Sequence, residues 1–150
     1  MSDDLLLSRQ LCFAVLSAAR AFERRYAALL APLGLTYPQY LVMLALWARD
    51  DQTLRDLGAA LHLDSGTLTP LLKRMEAAGH VTRARDREDE RLLRVRLTDA
   101  GRALRDRAAA IPAAVAASTG LSPAELAALR DAMRRLGDAV RPVPGSSDGG

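Results

Sequence analysis

One cysteine, Cys12, occurs in 150 residues. A lone thiol excludes an intrachain disulfide framework and suits a reducing cytoplasm. The two histidines, His62 and His80, lie far from that cysteine in sequence and form no ligand spacing, so no metal is expected. The chain has no Gly-rich phosphate loop and no serine or cysteine nucleophile motif, which leaves no cofactor expected and argues against an enzyme. No run approaches the ~20 apolar residues of a membrane span. The amino end, MSDDLLLSRQL, is acidic where a secretory signal would be basic and its apolar run is too short, so no signal peptide is expected, and no membrane partner is expected either. Aromatic residues make up only 4% of the chain, while 49% is hydrophobic and rich in Ala and Leu, enough for one mainly helical core. The net charge of +3 is compatible with an anionic partner and does not identify one.

Apolar positions Leu11, Val15, Ala18, Phe22 and Leu29 recur at helical spacing and predict a long first helix, roughly Leu5 to Leu30, stopped by Pro32 and Gly34. Thr36 caps a second helix over Tyr37–Ala48, with Pro38 tolerated in its first turn. Thr53 caps a short third helix, Leu54–Leu61, and a tight turn leads to a fourth that starts at Asp64 or Ser65 and stops at Gly79. Extended pieces near Val81–Arg85 and Leu92–Leu97 flank a charged tip; in the second, Leu93, Val95 and Leu97 alternate with Arg94 and Arg96, the period of a half-buried strand. Thr98 caps a fifth helix that runs on into AAAIPAAVAAS with a kink at Pro112. Ser122 and Glu125 form a capping box for a sixth, with Pro123 in its first position. Its apolar residues Leu126, Leu129, Met133, Leu136 and Val140 are spaced three, four, three, four, a seam that favours a partner helix from a second subunit over intrachain core. Residues 141–150, RPVPGSSDGG, read as a disordered tail.

Helix, tight turn, helix and charged hairpin is the order of a winged helix-turn-helix. In the fourth helix Leu68, Leu71, Leu72 and Met75 form the packing face. The opposite face is small near its start and cationic one turn later. Ser65, Thr67, Thr69 and Pro70 are placed to reach base edges and phosphates, and Lys73 and Arg74 to fix position on the backbone. The hairpin tip carries Arg83, Arg85, Arg87 and Arg91 among Asp86, Glu88, Asp89 and Glu90. Such a mixed tip is either a solvated charged turn or one in which carboxylates such as Asp89 hold chosen guanidinium groups, Arg91 foremost, for the minor groove. Its place after a helix-turn-helix favours double-stranded DNA.

The stretches LTYPQYLVMLALW, LDSGTLTPLLKRMEAAG and DREDERLLRVRLTDAG, with LCF ahead of TYPQY, resemble the MarR family and within it the organic-hydroperoxide-sensing OhrR branch. The resemblance runs from about Gln10 to Ala108 and more loosely to Val140. It implies a mainly α fold over residues 1–140, with a DNA-binding lobe at about 37–98 and dimerisation helices at about 5–32 and 99–140. It also implies a homodimeric cytoplasmic repressor on a pseudopalindromic operator, released when Cys12 is oxidised by an organic hydroperoxide, with Tyr26 and Tyr37 donating hydrogen bonds to the sulfur. Leu16 stands where the branch commonly has a third tyrosine, and the resolving cysteine of some members is absent, so the sulfenic acid needs an external low-molecular-weight thiol.

Geometry tests the resemblance independently. Cys12 and Tyr26 share a side of one helix but stand fourteen residues apart, about 21 Å along its axis. No tyrosine spans that within a chain; two first helices running antiparallel about a two-fold axis bring Tyr26 of one subunit to Cys12 of the other. Phenol donors, the nearby helix start and Arg9 favour thiolate, and the apolar neighbours Leu11, Phe13, Val15 and Leu16 oppose it while welcoming a greasy peroxide. Three rival readings stand beside this one: release by a non-covalent aromatic ligand, a thiol peroxidase, and a constitutive DNA binder.

Overall fold

The computed structural model describes residues 3–142. It divides into two compact units, the first closing at Ile111 and the second opening at Pro112. In the first, two short 3-10 turns, Asp3–Leu5 and Leu7–Arg9, precede α1 (Leu11–Leu30), and then come α2 (Tyr37–Ala48), β1 (Gln52–Thr53), α3 (Leu54–Leu61), α4 (Ser65–Ala77), β2 (Val81–Arg85), β3 (Leu93–Leu97) and α5 (Asp99–Ala108). The helix expected from Leu5 thus begins six residues later. Gln10 is extended, and its side-chain amide donates to the Asp4 carbonyl at 2.5 Å and the Leu6 carbonyl at 3.1 Å, which satisfies the preceding turns and ends them.

Side-chain caps set most of the other starts. Thr36 and Gln39 close a capping box on α2, Thr53 accepts from Asp56 N, Asp64 from Thr67 N, and Thr98 from Gly101 N. Asp64 is therefore the α4 cap, and α4 runs through Pro70, which forgoes a bond to the Gly66 carbonyl without delaying the helix. Between α3 and α4, His62 is left-handed at φ 55° and Leu63 N donates to Gly58 O at 2.9 Å. A Cβ at Gly58 would stand 2.8 Å from the Leu63 carbonyl, so glycine there allows the tight turn.

The core of this unit is made where α2, α3, α4 and the sheet meet, around Met43, Leu46, Leu57, Leu68, Leu72, Met75, Val81 and Val95, all essentially fully buried. The sheet has the order β1-β3-β2, antiparallel throughout, with Arg83 opposite Val95 and Gln52 opposite Val95 on the other side. The fold is a winged helix, mainly α with a small sheet, as the sequence leads one to expect; β1 is the addition. Gln52 is buried and its side-chain amide donates to the carbonyls of Ala45 and Arg49 at 2.9 and 2.7 Å, closing the end of α2.

The second unit holds α6 (Ile111–Thr119, whose first residue closes the first unit) and α7 (Pro123–Val140). The single kinked helix expected through Pro112 is instead two helices. A proline ring clashes with the carbonyl four residues back, here Ala108, and α5 ends on that residue while Pro112 takes the second position of α6. The α7 capping box forms as expected, with Glu125 accepting from Ser122 N at 2.7 Å and Ser122 from Glu125 N at 3.2 Å. No side chain of α7 is buried. The tail expected over 141–150 lies, beyond Pro142, outside the described residues.

Candidate nucleic-acid interface and thiol site

Packing fixes which face of α4 is free. Leu68, Leu71, Leu72 and Met75 are buried, so Ser65, Gly66, Thr67, Pro70, Lys73 and Arg74 are exposed and Thr69 is half-buried at the edge. The small-then-cationic face expected for a groove is therefore the one turned to solvent. Neither the Lys73 nor the Arg74 side chain has a hydrogen-bond or ion partner among the described residues.

Carboxylates shape the hairpin tip. Asp86 accepts from Glu88 N at 2.8 Å and Asp89 N at 3.1 Å, and those backbone bonds hold its carboxyl below the usual carboxylate range. Its second oxygen takes Arg94 Nη1 at 3.1 Å. Asp89 grips Arg91 with both oxygens, Nε at 3.0 Å and Nη2 at 3.1 Å, which lowers the acid and raises the base. Arg91 projects into solvent with its side chain 90% exposed, held in direction while free to meet a partner. The Arg85 and Arg87 side chains are exposed and without a partner among the described residues.

Arg83 is placed differently from the other tip arginines. Its side chain is 19% exposed, its backbone N donates to Glu76 Oε2 at 2.9 Å, and its Nη2 reaches Glu76 Oε1 at 3.2 Å. It ties the wing to the end of α4, and its bonds depress the Glu76 carboxyl. The sequence names Arg94 and Arg96 only as the outer positions of a strand and gives no role to Asp50, Asp51 or Arg102; together the five link the turn after α2 to β3 and α5. The paired acids of RDDQ were the one available signal.

Cys12 is exposed and is the second residue of α1, in the first turn where backbone N–H groups are free and the helix dipole is positive. Tyr26 lies on the same unbroken helix, fourteen residues on, so about 21 Å separates the two along the axis. Tyr26 and Tyr37 are brought together: their rings stack with centroids 4.5 Å apart, and Tyr40 stands 5.7 Å from Tyr26. Burial pushes both hydroxyls up from their ordinary value, and for Tyr37 the adjacent Tyr26 hydroxyl and the Glu23 carboxylate raise it further, so both stay protonated donors. The two phenols thus form one pair, distant from the sulfur of their own chain. Leu16, one turn past Cys12, is exposed.

Every side chain of α1 from Leu11 to Arg25 is exposed, including Leu11, Phe13, Val15, Leu16 and Phe22. Along the α7 seam Leu129, Met133 and Val140 are exposed and Leu126 and Leu136 half-buried. Among the described residues no group of His, Cys, Asp and Glu could hold a metal ion, and no single helix is long and apolar enough to cross a membrane.

Residues 25–108 match the family model described as transcriptional regulator SarA/Rot. The HTH-type transcriptional regulator TtmR of Methylorubrum extorquens is 49% identical over 146 residues, covering 97% of this chain and 75% of that protein. The organic hydroperoxide resistance transcriptional regulator of Bacillus subtilis is 42% identical over 134 residues, 89% of this chain and 91% of that protein. Among solved structures, reduced AbfR bound to DNA superposes with a TM-score of 0.74 at 35% identity, over 89% of this chain and 94% of that one.

Proposed function

The chain belongs to the SarA/Rot family of DNA-binding transcriptional regulators, which are MarR-like winged-helix proteins, and we propose that it is a homodimeric repressor switched by oxidation of Cys12. The observation that carries this reading is the division of the thiol site. Cys12 stands exposed in the first turn of α1, while Tyr26, toward the other end of that helix, stacks on Tyr37 at the start of α2, both protonated. Antiparallel pairing of two α1 helices about a two-fold axis covers the exposed apolar side chains of both and seats each thiol under the partner's phenols. The α7 seam, Leu126, Leu129, Met133, Leu136 and Val140, adds a second stretch of the dimer interface.

The effector in this reading is an organic hydroperoxide, the class named for the Bacillus subtilis relative. The thiolate attacks the distal peroxide oxygen; the O–O bond breaks, Cys12 becomes the sulfenic acid, and the alkoxide leaves as alcohol after taking a proton. An external low-molecular-weight thiol then condenses with the sulfenic acid, releasing water and leaving a mixed disulfide that excess thiol reverses. The cytoplasm supplies both the reductant and the DNA. Each step changes volume and polarity at the subunit boundary and hence the separation of the two α4 helices, which a pseudopalindromic operator reads as spacing. On DNA, Ser65, Thr67, Thr69 and Pro70 meet bases, Lys73 and Arg74 the backbone, and Arg85, Arg87 and Arg91 the wing's groove, with Asp89 orienting Arg91 and Arg83 anchoring the wing to α4.

A gel shift on the DNA upstream of the chain's own coding sequence tests this. Reduced wild type and Cys12→Ser should both retard the fragment, and cumene hydroperoxide should release only the wild type. Release of both proteins by an aromatic acid without oxidation would support a non-covalent effector instead. Retention by oxidised wild type would leave a constitutive binder.

A further inference from the structure

The turn joining α2 to β1 carries two adjacent carboxylates with different duties. Asp50 faces inward: Oδ1 accepts from Asp51 N and Leu97 N, each at 2.8 Å, and Oδ2 lies 3.5 Å from Arg102 Nη2. Asp51 is left-handed at φ 56°, a conformation uncommon outside glycine that Asp and Asn tolerate best. That backbone turn lays its carboxylate over the arginines of β3. Oδ1 receives Arg94 Nε at 2.8 Å and lies 3.0 Å from Arg96 Nε, while its carbonyl takes Arg94 Nη2 at 3.0 Å. Arg94 has a second acid in Asp86; Arg96 has no other partner among the described residues.

Attraction to any duplex, whatever its sequence, grows with each cation that displaces a counterion from phosphate, and non-specific binding is almost wholly this term. A wing with Arg85, Arg87, Arg91, Arg94 and Arg96 all free would hold random DNA with five guanidinium groups on one hairpin. We propose that Asp51 is a specificity-determining residue that withholds Arg96 from the phosphate backbone. The residue keeps the wing's charge to the arginines at the tip and so lowers the background against which α4 selects its sequence. This rests on DNA binding and is independent of the redox switch.

Fluorescence anisotropy of the reduced, full-length protein on a random-sequence DNA duplex, repeated over a range of salt concentrations, reads the number of phosphate contacts as the slope of log affinity against log salt. Asp51→Asn preserves the left-handed turn and removes the charge. Its slope should be steeper than wild type by about 1, with tighter binding at low salt, and Asp51→Asn/Arg96→Gln should return to the wild-type slope. Arg96→Gln alone should leave the slope unchanged, a result that does not depend on how the turn tolerates Asn. An unchanged or shallower slope for Asp51→Asn would overturn the proposal. So would a slope shallower by about 1 for Arg96→Gln, because Arg96 would then already contact phosphate in the wild type.

Discussion

A methyl group added at Gly101 would stand 2.1 Å from the His80 carbonyl oxygen and 3.3 Å from Leu97 Cδ2. That carbonyl accepts from Thr98 N at 3.1 Å, and the Gly101 carbonyl takes Trp47 Nε1 at 3.0 Å, so one glycine joins α5, the wing base and α2. The clash is with backbone and cannot be relieved by a rotamer. Gly101→Ala should cost at least about 3 kcal/mol, read as a lowered Tm and a shifted Trp47 emission; wild-type stability would show that the α5–wing junction can open at no cost. This requirement was not legible in LTDAG, because the atom that forbids a side chain comes from twenty-one residues earlier in the chain. Cys12 shows the reverse. The role proposed for it rests on its spacing to Tyr26, which the sequence displays, while the meeting of the Tyr26 and Tyr37 rings appears only in the fold.

Elements were legible where a short-range rule sets them. Thr36, Thr53, Asp64, Thr98 and Ser122 announce their helices because a cap acts across three residues. The start of α1 was not, since apolar spacing runs back through Leu5 and only the Gln10 side chain ends the turns before it. β1 is two residues long, too short for any period, and exists because β3 pairs with it. The wing is the element most dependent on charge. Asp86, Glu76 and Asp51 are held below the ordinary carboxylate range by backbone donors and arginines. For an acid depressed in the folded state, the stabilisation is present above the unfolded value and disappears as pH falls through the folded one. The prediction is that amide-exchange protection in β2 and β3, corrected for intrinsic rates, falls as pH drops below about 4, ahead of protection in α2. Simultaneous loss of protection in the wing and α2 would show that these pairs do not hold the wing.

At the scale of the whole molecule, apolar side chains on α1 and α7 are exposed among the described residues, where a heptad-like seam and the Cys–Tyr spacing lead one to expect a subunit boundary. What the sequence left open is how the hairpin acids divide their arginines, because pairing of neighbouring charges depends on side-chain direction rather than on order along the chain. The proposed switch makes one claim that no single protomer can satisfy: the phenols that serve a thiol belong to the other copy. A purified heterodimer of a Cys12→Ser chain and a Tyr26→Phe/Tyr37→Phe chain isolates it, since the remaining thiol then has phenols only across the boundary. Stopped-flow oxidation by cumene hydroperoxide should proceed at the wild-type rate per thiol in that heterodimer and far more slowly in the Tyr26→Phe/Tyr37→Phe homodimer. A heterodimer as slow as that homodimer would contradict the shared site.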